Sequence, residues 1–263
     1  MGKLAAREEV LYHIGISAAQ IQGARYALLP GDPGRVEALA KGLGPATFVG
    51  AHREYTSWLA DLEGTPILVI STGMGGPSVS IGMEELARLG ITDFIRVGTT
   101  GSIQPHIALG EVVINKAAVR LDGASYHYAP ATFPAVASLE LTCALVEAAK
   151  LEAVPYHVGI AVSSDTFWPG QERYDSFSGF VPQHLQGTLR EWQALGATNY
   201  EMESATLFVV AQALGLRAAA LCGVVAQRTN SEQVAPPAVY QLAAERFATV
   251  ARRALLLLTK AGN

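Results

Sequence analysis

Arg96 stands inside an apolar run, "DFIRVGTTGS" at residues 93–102. A charged side chain in such a run is costly unless a partner meets it. A Gly-Thr-Thr-Gly turn follows at once and brings Thr99, Thr100 and Gly101 beside the charge. Upstream, "PGDPGR" supplies Gly31 and Arg35, and "TGMGG" supplies Gly73 and Gly75. Glycines let backbone N–H groups approach an anion, guanidiniums add paired charge-assisted bonds, and hydroxyls complete the shell. Together these residue types suit phosphate. "GMGGPS" fits neither the lysine-bearing phosphate loop nor G-x-G-x-x-G, so a dinucleotide-dependent oxidoreductase is not indicated.

Each piece also has an ordinary reading. Arg35 could be a solvated residue in a first helical turn. Arg96 could face solvent, because strands alternate. His52 and Glu54, around Arg53, could be polar hairpin residues. Glu201 and Glu203 bracket Met202 just before a helical stretch, where a carboxylate is also favoured by the helix dipole. Joint occurrence at successive strand ends is what points to a site.

The elements that must position these residues alternate. "RYALLP" reads as a strand stopped by Pro-Gly-Asp-Pro, and "RVEALAKGL" has helical spacing. "REYTSWLADLEGTPILVIS" reads as a hairpin through Glu63-Gly64. Pro77 suits the first turn of the helix "SVSIGMEELARLG". Strands "DFIRVG" and "EVVINKAAVRL" follow, then helix "SLELTCALVEAAKL" and strand "PYHVGIAVSSD". A loop-rich, aromatic region runs from Thr166 to about Leu189. "ATNYEME", helix "SATLFVVAQALG", strand "RAAALCGVVAQ" and a helix from about Pro237 to Leu258 complete the chain. This alternation indicates an α/β fold with a parallel or mixed sheet, read as a single domain over 1–263. In such sheets ligands sit at the carboxyl ends of strands.

Composition narrows the class. Half of the 263 residues are hydrophobic and 16% are charged, which suits a well-buried domain and not a disordered chain. Nineteen basic residues against 23 acidic ones, with no basic block, leave no footprint for nucleic acid. Runs such as "AAALCGVVA" are too short to cross a bilayer, so no membrane partner is expected. Glu8 and Glu9 interrupt any signal-peptide core. Cys143 and Cys222 read as buried free thiols, and the expected location is the cytoplasm.

The segments "PGDPGRVE", "HREYT", "STGMGGPS", "RVGTTGSIQP", "DTFWPGQERYD", "NYEMESATL" and "QRTN" resemble the nucleoside phosphorylase family, and within it the bacterial branch acting on uridine. The match is dense from about His13 to Arg228. It implies a three-layer α/β/α fold with a central mixed sheet, a homohexamer built as a trimer of dimers, and pyrimidine salvage by phosphorolysis. The substrates would be uridine and inorganic phosphate, the products uracil and ribose 1-phosphate. Gly31, Arg35, Arg96 and Thr99 resemble the phosphate site, and Arg53 the arginine lent by a dimer partner. Arg96, Arg173 and Glu203 would carry the catalysis. His13, Thr99, Thr100, Gly101, Phe167, Gln171, Arg173, Glu201, Met202, Glu203 and Arg228 would contact nucleoside. Glu203 would accept ribose hydroxyls, His13 would reach a partner's 5′-hydroxyl, and Gln171 with Arg173 would grip the uracil edge. No cofactor is required. Glu54, Met74 and Ser78 match positions that hold a monovalent cation (K+) at the dimer interface.

Two departures stand out. Trp168 follows Phe167 where a tyrosine is usual, and Gln227 precedes Arg228 where asparagine is usual. Purine-specific members place a carboxylate in the segment that here reads "VVAQRTN", which favours a pyrimidine over a purine substrate. Three grouped arginines also favour phosphorolysis over hydrolysis by a nucleosidase. "NSEQVAPPAVY" reads as a flap around residues 229–240.

Overall fold

A computed structural model describes residues 2–229 and 231–261. Ten strands form one mixed sheet in the order β10-β6-β8-β9-β5-β1-β4-β3-β2, with the short β7 on β6. The strands are β1 (Tyr26–Pro30), β2 (Ala46–His52), β3 (Tyr55–Leu62), β4 (Thr65–Ile70), β5 (Asp93–Ser102), β6 (Val112–Leu121), β7 (Ala135–Val136), β8 (Tyr156–Ser164), β9 (Asn199–Glu201) and β10 (Arg217–Gln227). The helices are α1 (Val36–Leu43), α2 (Gly76–Leu89), α3 (Leu139–Leu151), α4 (Thr188–Ala194), α5 (Ser204–Leu214) and α6 (Pro237–Ala261). The β3–β4 hairpin and the alternating strands and helices match the sequence reading.

β2 and α4 were not expected. β2 is an edge strand without a buried face, so it lacks the apolar alternation that marks a strand. α4 has only seven residues, none of them buried.

Alternate residues of the central strands divide between two apolar clusters, as strand geometry requires. Phe94 joins Leu29, Leu68 and Ile70 with Val79 and Met83 of α2 and Leu207 and Phe208 of α5. Ile95 and Val97 join Leu28 and Val69 with residues of α1, α3 and α6. Arg96, two residues from Phe94, therefore faces the side where α2 and α5 begin. The solvent-facing alternative for Arg96 is excluded, since it is 6% exposed.

β5 organises the site. Along Asp93–Val97 it is flanked by β1 and β10, both parallel. β1 ends at Pro30, opposite Val97, and β9 takes up the freed edge only at Gly101. β5, β10, β6, β8 and β9 thus close into a ring, while β1, β4, β3 and β2 continue as an open wing. Bulges at Val224/Ala226 in β10 and Asn115/Ala117 in β6 bend the strands for this closure. The parting of β1 from β9 opens a crevice at the carboxyl end of β5.

Candidate active site

The loops after β1, β4 and β5 lie against one another. Thr72 N donates to Pro30 O at 3.0 Å and Gly73 N to Gly31 O at 2.9 Å. A Cβ on Gly31 would stand 2.9 Å from Gly73 O and 3.6 Å from Arg96 Nη2, so any side chain there would force the loops apart. Arg96 Nη2 donates to Glu203 Oε2. Its Nε and Nη1 are buried and have no hydrogen-bond partner among the described residues. An unsatisfied buried donor costs about 1–3 kcal/mol, so this guanidinium is set to receive an acceptor. Burial opposes the Arg96 charge, but Glu203, then Cys222 and Glu201, hold its pKa above the ordinary arginine value. Arg35 is partly exposed beside Asp32, with Nε 3.7 Å from Oδ2.

The two glutamates have different tasks. Glu201 Oε2 accepts from Glu203 N at 2.9 Å and Ser204 N at 2.8 Å, and the Ser163 hydroxyl donates to Oε1. Glu201 therefore caps α5. Burial, then the nearby Glu203, push its pKa up. Glu203 stands at the same helix start but leaves the capping to Glu201. Its Oε1 accepts from Gly75 N at 2.8 Å, tying it to the turn after β4.

A second group comes from the loop after β8. The Arg173 guanidinium lies 4.2 Å from the centroid of the Phe167 ring, a cation–π contact. Arg173 is buried; Nη1 donates to Glu232 O at 2.5 Å, and Nε has no partner among the described residues. Gln171 is buried beside it. Arg228 is buried behind this loop and donates from Nη2 to the carbonyls of Gln171 and Glu172, each at 3.1 Å.

One cavity of about 460 Å³ is lined by both groups: Gly31, Arg35, Arg96 and Thr99 with Glu201, Met202 and Glu203, and Phe167, Gln171 and Arg173. Thr100 and Gly101 line it too. The Thr100 hydroxyl is already committed, donating to Tyr200 O at 2.5 Å and accepting from Asn199 Nδ2 at 2.8 Å.

Five expected residues lie outside the lining. Arg228 braces the loop as described. Glu54 and Ser78 sit behind Gly73: a Cβ there would lie 3.1 Å from Glu54 Cγ and 3.6 Å from Ser78 Oγ. Ser78 Oγ donates to Met74 O at 3.3 Å. His13 and Arg53 stand together elsewhere. Arg53 Nη2 lies 3.3 Å from the Tyr12 hydroxyl, and His13 Nδ1 lies 2.7 Å from Glu85 Oε1.

Sequence reasoning did not find Asp32, Tyr200, Val234 or Tyr240, which also line the cavity. Tyr200 carried a signal, because it directly precedes Glu201 in "NYEMES". Val234 and Tyr240 arrive through the expected flap. Ala235 N donates to Val225 O at 2.8 Å, and Val234 bridges to Ala226. The flap thus lies docked along β10. Asn230, within it, is outside the described residues. The expectation of two buried thiols is corrected: Cys222 is buried, but Cys143 is exposed on α3.

The strand ends, the buried guanidinium and the paired glutamates line one enzyme-like cleft. The family model "Phosphorylase superfamily" matches residues 25–256, and the chain belongs to that superfamily. Among its relatives is a protein named uridine phosphorylase from Escherichia coli (strain K12). It is 54% identical over 222 residues, covering 84% of this chain and 88% of that protein. Another uridine phosphorylase, from Thermococcus kodakarensis, is 45% identical over 225 residues, 86% of this chain and 80% of that protein. A guanosine phosphorylase from Halorubrum lacusprofundi is 35% identical over 198 residues, 75% of this chain and 76% of that protein.

Proposed function

We propose that this chain is a uridine phosphorylase, cleaving uridine with inorganic phosphate to uracil and ribose 1-phosphate. One observation carries the reading. A single cavity joins a buried guanidinium with two open donors, bound to Glu203, to an Arg173–Phe167–Gln171 group with both donors and an acceptor.

Phosphate binds at Arg35, Arg96, Thr99 and the Gly31 turn, completed by Arg53 of the partner subunit. Nη2 of Arg96 is already on Glu203, so Nε and Nη1 are the groups left for phosphate oxygens. Glu203 accepts ribose hydroxyls, and Met202 packs on the sugar. The bond between C1′ and the base nitrogen breaks, and its electron pair leaves with the base. A phosphate oxygen bonds to C1′, and uracil takes up, in net terms, the proton that hydrogen phosphate gives up on becoming the ester. Positive charge gathers on the sugar as the bond breaks, where phosphate and the Glu203 carboxylate favour it. Negative charge gathers on the base, where Arg173 meets it. The Phe167 ring and Gln171 orient that base.

The position of His13 and Arg53 outside their own chain's cavity supports a site shared between two subunits. We read the assembly as a hexamer built from such dimers, acting in cytoplasmic pyrimidine salvage. The two apolar clusters on opposite faces of the sheet support a single domain with a three-layer α/β/α arrangement. Among the described residues no helix is long and apolar enough to cross a membrane. Glu54, the Met74 carbonyl and Ser78 offer hard oxygen donors around one turn, a set that fits a monovalent cation. Such an ion would brace the turn that carries Gly75 N to Glu203. The bond-making and bond-breaking steps do not use such an ion.

Base choice is tested with uridine and inosine, each with phosphate, following free base. Release from uridine is expected to exceed release from inosine by at least about 100-fold, since Gln171 and Arg173 would pair with pyrimidine groups and the segment "VVAQRTN" offers a purine no carboxylate partner. The nearest acid in sequence, Glu232, is already engaged by Tyr174 N and Asp175 N. Faster release from inosine would refute the uridine reading.

A further inference from the structure

We propose that Glu85 is a positioning residue that fixes the tautomer and direction of His13, so that His13 Nε2 accepts a hydrogen bond from the nucleoside 5′-hydroxyl. The inference rests on the shared-site reading given above.

Glu85 lies on α2 and is 7% exposed, on a helix whose neighbouring Met83, Leu86 and Leu89 are core residues. A carboxylate there is costly unless its oxygens are satisfied. All its hydrogen bonds go to one short stretch. Oε2 accepts from Ile14 N at 2.9 Å and His13 N at 3.0 Å, and Oε1 accepts from His13 N at 3.1 Å. Those bonds alone would anchor the chain. The carboxylate also meets the ring, with Nδ1 2.7 Å from Oε1.

An oxygen that already accepts a backbone N–H does not donate, so the proton between Oε1 and the ring sits on Nδ1. In the neutral ring Nε2 is then an acceptor. Tyr12 packs edge-on against the ring, with centroids 4.8 Å apart, and His52 Nδ1 lies 2.9 Å from the main-chain oxygen of His13, which ties down the backbone that carries the ring. Nε2 makes no hydrogen bond among the described residues, and the His13 side chain is 37% exposed. A fixed, outward acceptor suits a hydroxyl donor. It does not suit a 5′-phosphate, whose oxygens are themselves acceptors. The dyad thus selects nucleosides over nucleotides.

The test compares kcat/KM for uridine and 5′-deoxyuridine within one preparation, so the active fraction cancels. The wild-type protein should favour uridine by about tenfold, the worth of one good hydrogen bond. H13A should bring the ratio close to one. Glu85→Gln should lower it too, because its amide N–H can donate to Nδ1 and leave Nε2 as a donor, so that the 5′-hydroxyl must turn round to accept instead of donate. Equal losses on both substrates, with the ratio kept in E85Q but lost in H13A, would make Glu85 merely structural and overturn the proposal. A ratio kept in H13A as well would overturn the shared-site role of His13 itself. If E85Q does not fold, 15N spectra of histidine-labelled wild-type protein decide: a proton on Nδ1 of His13 is expected, and a proton on Nε2 of the neutral ring overturns the proposal.

Discussion

Arg173→Ala is expected to lower kcat/KM for uridine by about 1,000-fold, while KM for phosphate stays within about threefold. Arg173 is buried with its charge over Phe167, and it lines the cavity beside Gln171. A donor in a dry site, aimed where charge develops, is worth about 3–4 kcal/mol of transition-state stabilisation. The phosphate group is built separately, from the turns after β1, β4 and β5. Only one other consequence is expected. Arg173 holds Glu232 O, so the segment from Ser231 to Ala235 should loosen and exchange its amide hydrogens faster. Steady-state kinetics varying each substrate in turn checks this. An equal loss of phosphate affinity would place Arg173 at the wrong end of the site.

Mixing two inactive variants should restore activity. Arg53→Ala spoils the neighbour's phosphate site, whereas Arg173→Ala spoils its own site. A mixed dimer then has one site with both lesions and one with neither. Unfolding and refolding the two proteins together in equal amounts should return about a quarter of wild-type activity, because half the dimers are mixed and each has one intact site. Arg53 is positioned for this. It sits at the β2–β3 turn with φ of 54°. Its guanidinium is 5.5 Å from the centre of the Tyr12 ring, outside the lining of its own cavity. Confirmed subunit exchange with no returned activity would mean that Arg53 works within its own chain.

Much of the site was legible in sequence because it lies in punctuated segments. Gly31, Arg35 and Thr99 lie in the turns that end apolar runs, Arg96 stands inside such a run, and local pattern groups all four near strand ends. What the residues could not show was direction. Arg96 reads equally as solvent-facing or core-facing until Phe94 and Ile95 are assigned to their two clusters. Glu201 and Glu203 look alike in "YEMES"; only the approach of Gly75 N and Arg96 separates the helix cap from the carboxylate that meets the buried arginine. The ring closure through β9 was hidden because three residues give no periodicity. Arg228, expected to contact nucleoside, lies outside the cavity lining and braces the carbonyls of Gln171 and Glu172 through Nη2. That contact joins segments 57 and 56 residues apart, beyond the reach of any local pattern.

Phosphate, not water, is expected to attack C1′. The direct measurement follows uracil release by its ultraviolet absorbance and ribose 1-phosphate by phosphorus NMR, with and without inorganic phosphate. Ribose 1-phosphate should appear in step with uracil, and uracil release should fall by at least about 1,000-fold when phosphate is removed. Uracil released at an unchanged rate without phosphate, with free ribose as the sugar product, would contradict it.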